Sequence, residues 1–253
     1  MKKSLLVLLA SVSAFAGYGY AVVLSGSVNI DPATSATLTS ANTLDWAIWN
    51  TTSSTAVGSI SATNTKSGGG GLISAITPFA TTAVSPNNVR GVGGATEQFS
   101  YTDGSSPTSQ TNATFGFVTN STLATAGQGV QTSITGNASQ LYRVDVWTAG
   151  FAGRGEMRAS LNGASMVTLF SETFGTDGVN KASNLFSFFF MPDSNSDLLS
   201  LSFHLMSSPT PGASAHVGIQ AITVSAVPEP ATYAMLLGVG GLAFALVKRR
   251  RSF

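Results

Sequence analysis

The central part of the chain is built from short runs in which apolar and polar residues alternate. In one run Tyr142 and Val144 alternate with Arg143, and residues 155–162 and 198–206 repeat the same period of two. This period places successive side chains on opposite faces, which is typical of a β-strand with one buried face. No long stretch combines helical periodicity with capping residues. The pattern therefore predicts an all-β fold.

The same alternation assigns side chains to faces. Met157 and Leu161 are predicted to face the core, while Glu156, Arg158 and His204 are predicted to lie on polar faces. Two further runs are predicted strands: residues 185–191, which are nearly all apolar and predict burial on both faces, and residues 216–224. Turn dipeptides such as Asp103-Gly104 and Asn162-Gly163 separate the runs. Roughly eight strands at this spacing predict a single β-sandwich, of the jelly-roll type.

The first 21 residues have the features of a signal peptide. Lys2 and Lys3 provide a positive start, and an apolar run follows over residues 5–16. Small residues then offer two cleavage points, at residues 14–16 or 19–21. The apolar run is too short to span a bilayer, so it predicts export rather than a membrane anchor.

A second apolar run occupies residues 231–247 and contains no charged residue. A cationic cluster follows at once: Lys248, Arg249, Arg250 and Arg251. Seventeen apolar residues reach the short end of the spanning range, and a basic flank acts as a stop-transfer signal with its charges in the cytoplasm. We therefore predict a C-terminal transmembrane helix.

A proline-rich tetrapeptide stands directly before the apolar run: Val227, Pro228, Glu229 and Pro230. Two prolines around a glutamate interrupt regular structure and favour an extended segment. The tetrapeptide, the apolar span and the basic end together resemble the PEP-CTERM sorting signal. The resemblance implies recognition and removal by a membrane protease of the exosortase type, in a Gram-negative bacterium. It also implies an inner-membrane intermediate, followed by release to the cell surface or extracellular matrix.

These signals divide the chain into a signal peptide (1–21), an extracellular body (22–226) and a sorting segment (227–253). The body carries a second resemblance, to bacterial extracellular domains with a galactose-binding-like sandwich. It rests on short segments that follow in order: residues 44–49, 67–74, 99–104, 142–147, 155–161 and 217–222. The resemblance implies a jelly roll that accompanies carbohydrate processing or adhesion, without fixing a ligand.

The formal net charge of +1 combines basic terminal segments with an acidic body. Lys2, Lys3 and the four basic residues of the tail lie outside the body, which keeps six basic residues against ten acidic ones. A mildly acidic, sparsely charged body argues against binding nucleic acid or anionic lipid. A polar, uncharged partner such as an extracellular polysaccharide fits better.

The sequence offers little sign of catalysis. It has no cysteine and none of the common nucleophile, metalloprotease or phosphate-loop motifs. Four acidic residues are candidates for a carboxylate pair of the kind that glycosidases use: Asp45, Asp103, Asp145 and Glu156. Local ion pairs with Arg143 and Arg158 on solvated sheet faces explain two of them more simply. We therefore expect no catalytic residues.

Metal binding is left unassigned. His204 and His216 lie on neighbouring predicted strands and are expected to be exposed rather than joint ligands. A structural Ca²⁺ ion is compatible with acidic turn residues, of which Asp31, Asp103, Asp177 and Asp193 are candidates. No spacing selects among them, and no cofactor is expected.

Tryptophan provides the remaining candidates for a ligand site. Trp46 and Trp49 are separated by an odd number and so face opposite ways on a strand, with Trp46 expected in the core. Trp147 shares a face with Arg143 and Asp145. Trp49 and Trp147 are therefore the candidate platform for stacking a sugar ring, with partial burial as the alternative.

The sequence thus predicts a secreted, non-enzymatic surface or matrix protein that contacts extracellular polysaccharide. A polysaccharide hydrolase or lyase and a purely structural matrix component are the alternatives. Four Asn-x-Ser/Thr sequences mark a polar surface open to glycosylation, at Asn50, Asn112, Asn120 and Asn137.

Overall fold

The computed structural model describes residues 23–30, 32–81, 88–95, 97–122, 125–163, 165–175, 184–206 and 214–228. These residues form sixteen strands: β1 (Val23–Asn29), β2 (Ser35–Thr37), β3 (Thr43–Ile48), β4 (Asn64–Thr65), β5 (Thr77–Ala80), β6 (Val89–Val92), β7 (Gln98–Tyr101), β8 (Gln110–Thr114), β9 (Phe117–Asn120), β10 (Gln128–Thr135), β11 (Tyr142–Phe151), β12 (Arg154–Leu161), β13 (Ser165–Thr173), β14 (Asn184–Met191), β15 (Leu198–Leu205) and β16 (His216–Ala226).

The strands form three sheets. Sheet I has eight strands, with the order β1-β14-β11-β16-β3-β4, and β9 joins β16 to β6 beside this path. Sheet II has five strands in the order β13-β12-β15-β10-β5, and sheet III has three in the order β2-β7-β8. The pairings between named strands are antiparallel except for β2 with β7.

Sheets I and II face each other across the main core. Phe186 and Phe188 of β14 and Phe203 of β15 are fully buried there, and the rings of Phe186 and Phe203 lie 5.5 Å apart. The residues predicted to face inward are buried in this layer, including Met157 and Leu161. The predicted all-β sandwich is confirmed. The strands are more numerous than the roughly eight expected, because several are only two to four residues long and too short to show alternation.

Sheet III covers the outer face of sheet I and forms a third layer. Trp46, Trp147 and Ala221 of sheet I pack there against Phe99 and other apolar residues of sheet III. The central strand β16 is consequently buried on both faces, and residues 217–224 are all buried. The prediction of a doubly buried strand at residues 185–191 was wrong in detail. In β14 buried residues alternate with partly exposed ones, because sheet III covers only part of sheet I.

A polar seam joins sheet III to the edge of sheet I. The Asp103 carboxylate accepts hydrogen bonds from Thr39 Oγ1 at 2.5 Å and Trp46 Nε1 at 2.9 Å, and forms an ion pair with Lys66. Burial alone would raise the pKa of Asp103, but the hydrogen bonds from Lys66, Thr39 and Trp46 together lower it. The carboxylate is therefore held charged within the seam.

The Asn64 side chain forms hydrogen bonds through both of its polar atoms in this seam. Its Nδ2 donates to Tyr101 Oη and to the Pro107 carbonyl, each at 2.9 Å. Its Oδ1 accepts from the backbone N–H groups of Thr65, Ser105 and Ser106 and from the Ser105 hydroxyl. One buried amide thus joins β4, β7 and the loop after β7.

The expected C-terminal transmembrane helix, residues 231–247, lies outside the described residues, as do the signal peptide and the basic cluster. Within the described ranges no helix is long and apolar enough to cross a membrane.

Replacing Asn64 with alanine is expected to destabilise the body (residues 22–226) by roughly 1–3 kcal/mol, since it leaves buried backbone and Tyr101 groups without partners. Urea unfolding measures the free energy of unfolding. The matched control is Asn137→Ala, at an exposed position, for which the expected change is within about 0.5 kcal/mol. Equal effects at the two positions would contradict the role of the seam.

Glu97 gives the fold a pH dependence. Its side chain is buried, its Oε1 has no hydrogen-bond partner among the described residues, and burial raises its pKa from 4.5 to about 7. The folded state therefore binds this proton more tightly than the unfolded state does. The corresponding stability is complete below pH 4.5 and is lost as pH rises through about 7.

We expect the free energy of unfolding to fall by roughly 2–3 kcal/mol between pH 5 and pH 8.5 because of Glu97 alone. Urea unfolding of Glu97→Gln should show a shallower pH dependence and greater stability at pH 8.5 than the natural sequence. Asp193→Asn, at an exposed carboxylate, serves as the control. A Glu97→Gln profile parallel to the natural one would show that this carboxyl is not the source.

Candidate functional site

The outer face of sheet II carries a polar strip flanked by two phenyl rings. Directly paired residues of neighbouring strands point to the same side of a sheet. Across β13, β12, β15, β10 and β5 the register aligns one such row: Phe170, Glu156, His204, Gly129 and Phe79. Polar side chains thus lie in the middle of the row, on the central strands. The two aromatic rings lie at its ends, on the edge strands β13 and β5.

The next two rows extend this polar surface along the strands. The second row holds Thr168, Arg158, Ser202, Gln131 and Thr77. The third row holds Met166, Ser160, Ser200 and Ser133. Hydroxyl, amide and guanidinium groups therefore dominate a face that has few charges.

Two adjoining depressions open on this face. One has a volume of about 360 Å³ and is lined by Glu156, Arg158, His204 and the β5–β10 side of the sheet. The other, of about 240 Å³, lies toward Ser200 and Ser202 and has Phe79 in its wall. Arg158 borders both, so they form one interrupted cleft that runs along β15.

The charges in this cleft cancel. The Arg158 guanidinium donates to the Glu156 carboxylate within one strand, and the Glu156 side chain is mostly buried. The pair therefore adds no net charge to the floor. It leaves further N–H groups of Arg158 available at the border between the two depressions.

His204 forms the deepest polar group of the cleft. It is 3% exposed, and its Nδ1 has no hydrogen-bond partner among the residues that the structure describes. Burial lowers the pKa of His204, Glu156 at 4.0 Å raises it, and Arg158 lowers it, with a net shift downward. The imidazole is therefore neutral at pH 7, and its Nδ1 atom is buried.

Gly129 allows Phe79 to approach this histidine. A Cβ at position 129 would lie 2.0 Å from the Phe203 carbonyl oxygen, so a side chain has no room there. The Phe79 ring on the neighbouring strand lies 5.4 Å from the His204 ring. The aromatic wall and the polar floor are thus adjacent.

The platform predicted from Trp49 and Trp147 was wrong. Trp49 is fully buried in the core between sheets I and II, where its Nε1 donates to the Ile60 carbonyl at 3.2 Å. Trp147 is 7% exposed and lies beneath sheet III, edge-on to Phe99 at 5.7 Å. The prediction assumed that each strand has one face in solvent, whereas sheet II covers Trp49 and sheet III covers Trp147. The expected core position of Trp46 is confirmed.

The candidate carboxylates do not come together in the cleft. Asp45 accepts from the backbone N–H groups of Trp46 and Leu72, and Asp103 belongs to the seam. Asp145 pairs with Arg143 on the outer face of sheet I, while Glu156 pairs with Arg158 on sheet II. The described residues therefore bring no second carboxylate into the cleft beside Glu156.

The two histidines also lie apart. His204 belongs to sheet II, while His216 lies in sheet I with its ring stacked on Phe117 at 5.6 Å. The expectation that His204 is exposed was wrong, since Phe79 covers it. Among the described residues no three His, Asp or Glu side chains are grouped to hold a metal ion. Of the calcium candidates, Asp31 and Asp177 lie outside those residues, Asp103 is engaged in the seam, and Asp193 is exposed.

The sequence placed part of this cleft correctly. Alternation put Glu156, Arg158 and His204 on outward faces, and the structure aligns these faces in one sheet. Phe79 and Gln131 were missed. Phe79 lies in a four-residue strand next to a proline, which gives too few residues for a period to show.

The four glycosylation sequences differ in access. Asn50, Asn112 and Asn137 are exposed, whereas Asn120 is 2% exposed and donates from Nδ2 to the Gly129 carbonyl at 3.1 Å. Asn120 is therefore occupied in the fold and is closed to modification in the folded body.

The sorting segment begins at the end of β16. Val227 and Pro228 are described, and Glu229, Pro230 and the cluster Lys248, Arg249, Arg250 and Arg251 lie outside the described residues. A family model for the PEP-CTERM protein-sorting motif matches residues 226–251. The motif indicates export, a membrane-held intermediate and processing by an exosortase, as the sequence predicted.

No curated protein matches the chain. Among solved structures, TmCBM61 in complex with β-1,4-galactotriose is similar, with 13% identity, a TM-score of 0.35, and coverage of 60% of this chain and 88% of that one. An exo-β-1,3-galactanase from Phanerochaete chrysosporium has 13% identity and a TM-score of 0.30, and covers 59% of this chain. Clostridium thermocellum xylanase 10B modules with xylohexaose have 7% identity and a TM-score of 0.35, and cover 74% of it. The matches span only 27% and 29% of these two longer proteins. At this identity and TM-score the similarity says nothing about ligand.

The two histidines allow a direct check of the cleft by NMR titration of their ring protons, with His216→Gln to assign the signals. His204 is expected to titrate below 6.5, and Glu156→Gln is expected to lower its pKa further because the carboxylate favours the charged imidazole. A His204 pKa at or above 6.5 would contradict the buried, neutral imidazole.

Proposed function

We propose that the body is the ligand-binding part of an exported, non-enzymatic surface or matrix protein. Its ligand is an uncharged extracellular polysaccharide that lies in the cleft of sheet II. The observation that carries the proposal is the cross-strand row in which Glu156, His204 and Gly129 lie between Phe170 and Phe79. The sorting motif supports the extracellular setting.

The chemistry of the cleft suits a sugar. Ligand sites typically combine apolar or aromatic walls with a few polar groups that fix orientation. Phe79 offers a ring for the C–H surface of a sugar, and Ser200, Ser202 and Gln131 offer donors and acceptors for its hydroxyl groups.

The electrostatics of the cleft favour a neutral ligand. Glu156 and Arg158 neutralise each other, and His204 is uncharged at pH 7. An anionic polysaccharide would meet one guanidinium that is already paired. A neutral chain would exchange hydrogen bonds with the cleft without losing the hydration of a charge.

The position of the carboxylates supports binding rather than catalysis. A glycosidase of the usual kind needs two carboxyl groups on either side of the bond that breaks. Within the described residues the cleft contains Glu156 alone, and Arg158 holds it as an ion pair. We therefore propose that the ligand is held and not cleaved.

Binding of the body to an array of neutral and acidic bacterial polysaccharides tests the proposal. Ser200→Trp fills the cleft from an exposed strand position, and we expect it to weaken binding at least tenfold, a change of about 1.4 kcal/mol. Phe79→Ala removes the aromatic wall and should weaken binding by a similar factor. Ser27→Trp, at an exposed strand serine of sheet I, is the matched control and should bind normally.

Three results would overturn the proposal. Undiminished binding by Ser200→Trp would place the ligand elsewhere. Absence of binding to any polysaccharide would favour a structural matrix component. Release of new sugar ends from a bound polysaccharide would instead favour a hydrolase or lyase.

A further inference from the structure

The sorting motif begins inside the folded sheet. The motif spans residues 226–251, and its first residue ends β16, the central strand of sheet I. Ala226 pairs with Tyr142 of β11, and its N–H donates to the Asn42 carbonyl at 3.0 Å. No linker therefore separates the body from the segment that the processing enzyme recognises.

The next residue is also held by the sheet. The Val227 N–H donates to the Leu141 carbonyl at 2.9 Å. Gln140 Nε2 donates to the Leu141 carbonyl at 2.9 Å and to the Val227 carbonyl at 3.4 Å. Both backbone polar groups of Val227 are thus engaged by residues 140 and 141, and we call this set of contacts the tail clamp.

The membrane lies close to the tail clamp while the tail is attached. From Val227 to Ala231, where the apolar run begins, the chain reaches at most about 14 Å. The start of β1 lies at the same end of sheet I, since Val23 pairs with Met191, and Phe190 and Ala226 both pair with Tyr142. This end of the sandwich therefore faces the bilayer.

A protease that reads a peptide segment contacts the backbone N–H and C=O groups of an extended chain. In the folded body the Ala226 N–H and both backbone polar groups of Val227 already have partners, and the sheet end occupies one side of the chain. We propose that the tail clamp restrains processing: the exosortase acts on the folded protein only after Ala226 and Val227 have detached from Asn42, Gln140 and Leu141. The clamp thus sets the rate at which the protein leaves the membrane.

The test is a pulse-chase measurement of tail removal in the cell that makes the protein, with the full chain. Gln140→Ala removes one hydrogen-bond donor to Val227 from a half-buried position, and we expect processing to accelerate about two- to fivefold. A four-residue Gly-Ser spacer between Ala226 and Val227 leaves the Val227–Pro230 tetrapeptide intact and moves it clear of the sheet. The spacer variant should be processed faster than Gln140→Ala.

The control is the same spacer placed after Ser54, in the exposed loop between β3 and β4. This loop lies toward the opposite end of β16, since the Trp49 N–H donates to the Gln220 carbonyl and Val57 pairs with Val89 of β6. It should leave the processing rate unchanged. Thermal unfolding of each purified full chain separates loss of the clamp from loss of the fold. Unchanged or slower processing in both clamp variants would overturn the proposal. Equal acceleration by the control spacer, or a melting temperature lowered in proportion to the acceleration, would overturn it as well.

Discussion

The structure depends on the burial of the central strand of sheet I on both faces. The central strand β16 has eight successive buried residues, so neither of its sides meets water. Sheet II covers one side and sheet III covers the other, and each contributes its own apolar cluster. A strand enclosed in this way keeps its polar backbone groups paired with its neighbours in the sheet, and only its ends remain available for other contacts.

This constraint decides where ligands meet the body. The tryptophans, which the sequence favours most as residues for stacking on a sugar, are buried in the two apolar clusters. The outer face of sheet II has no covering layer among the described residues, and its outward positions carry serine, threonine, glutamine and one compensated ion pair. In the same arrangement β16 leaves the sandwich directly into the sorting motif.

Alternation over eight residues predicted the faces of β12 and β15, because one face of each strand packs in the main core. On the opposite face of β15 only Leu198 and Ser200 are exposed, and Phe79 covers His204. The rule failed at Trp147, whose outward position is real but leads into a second apolar layer. The sequence of a single strand does not indicate that another sheet packs on it. Phe79 was not predicted as a cleft residue for a related reason. Its place in the cleft depends on its pairing with Gly129 of the neighbouring strand. The sorting segment was recognisable because its three parts are contiguous in sequence.

Native-state hydrogen exchange of the body tests the central claim most directly, because backbone protection reports which strand is enclosed. Amides of residues 217–224 should exchange most slowly and only through global unfolding. Those of the edge strands β1 and β13 should exchange through local opening. Exchange in β16 as fast as that of the edge strands would show that β16 is not covered on both faces, and would contradict the three-layer arrangement of the sheets.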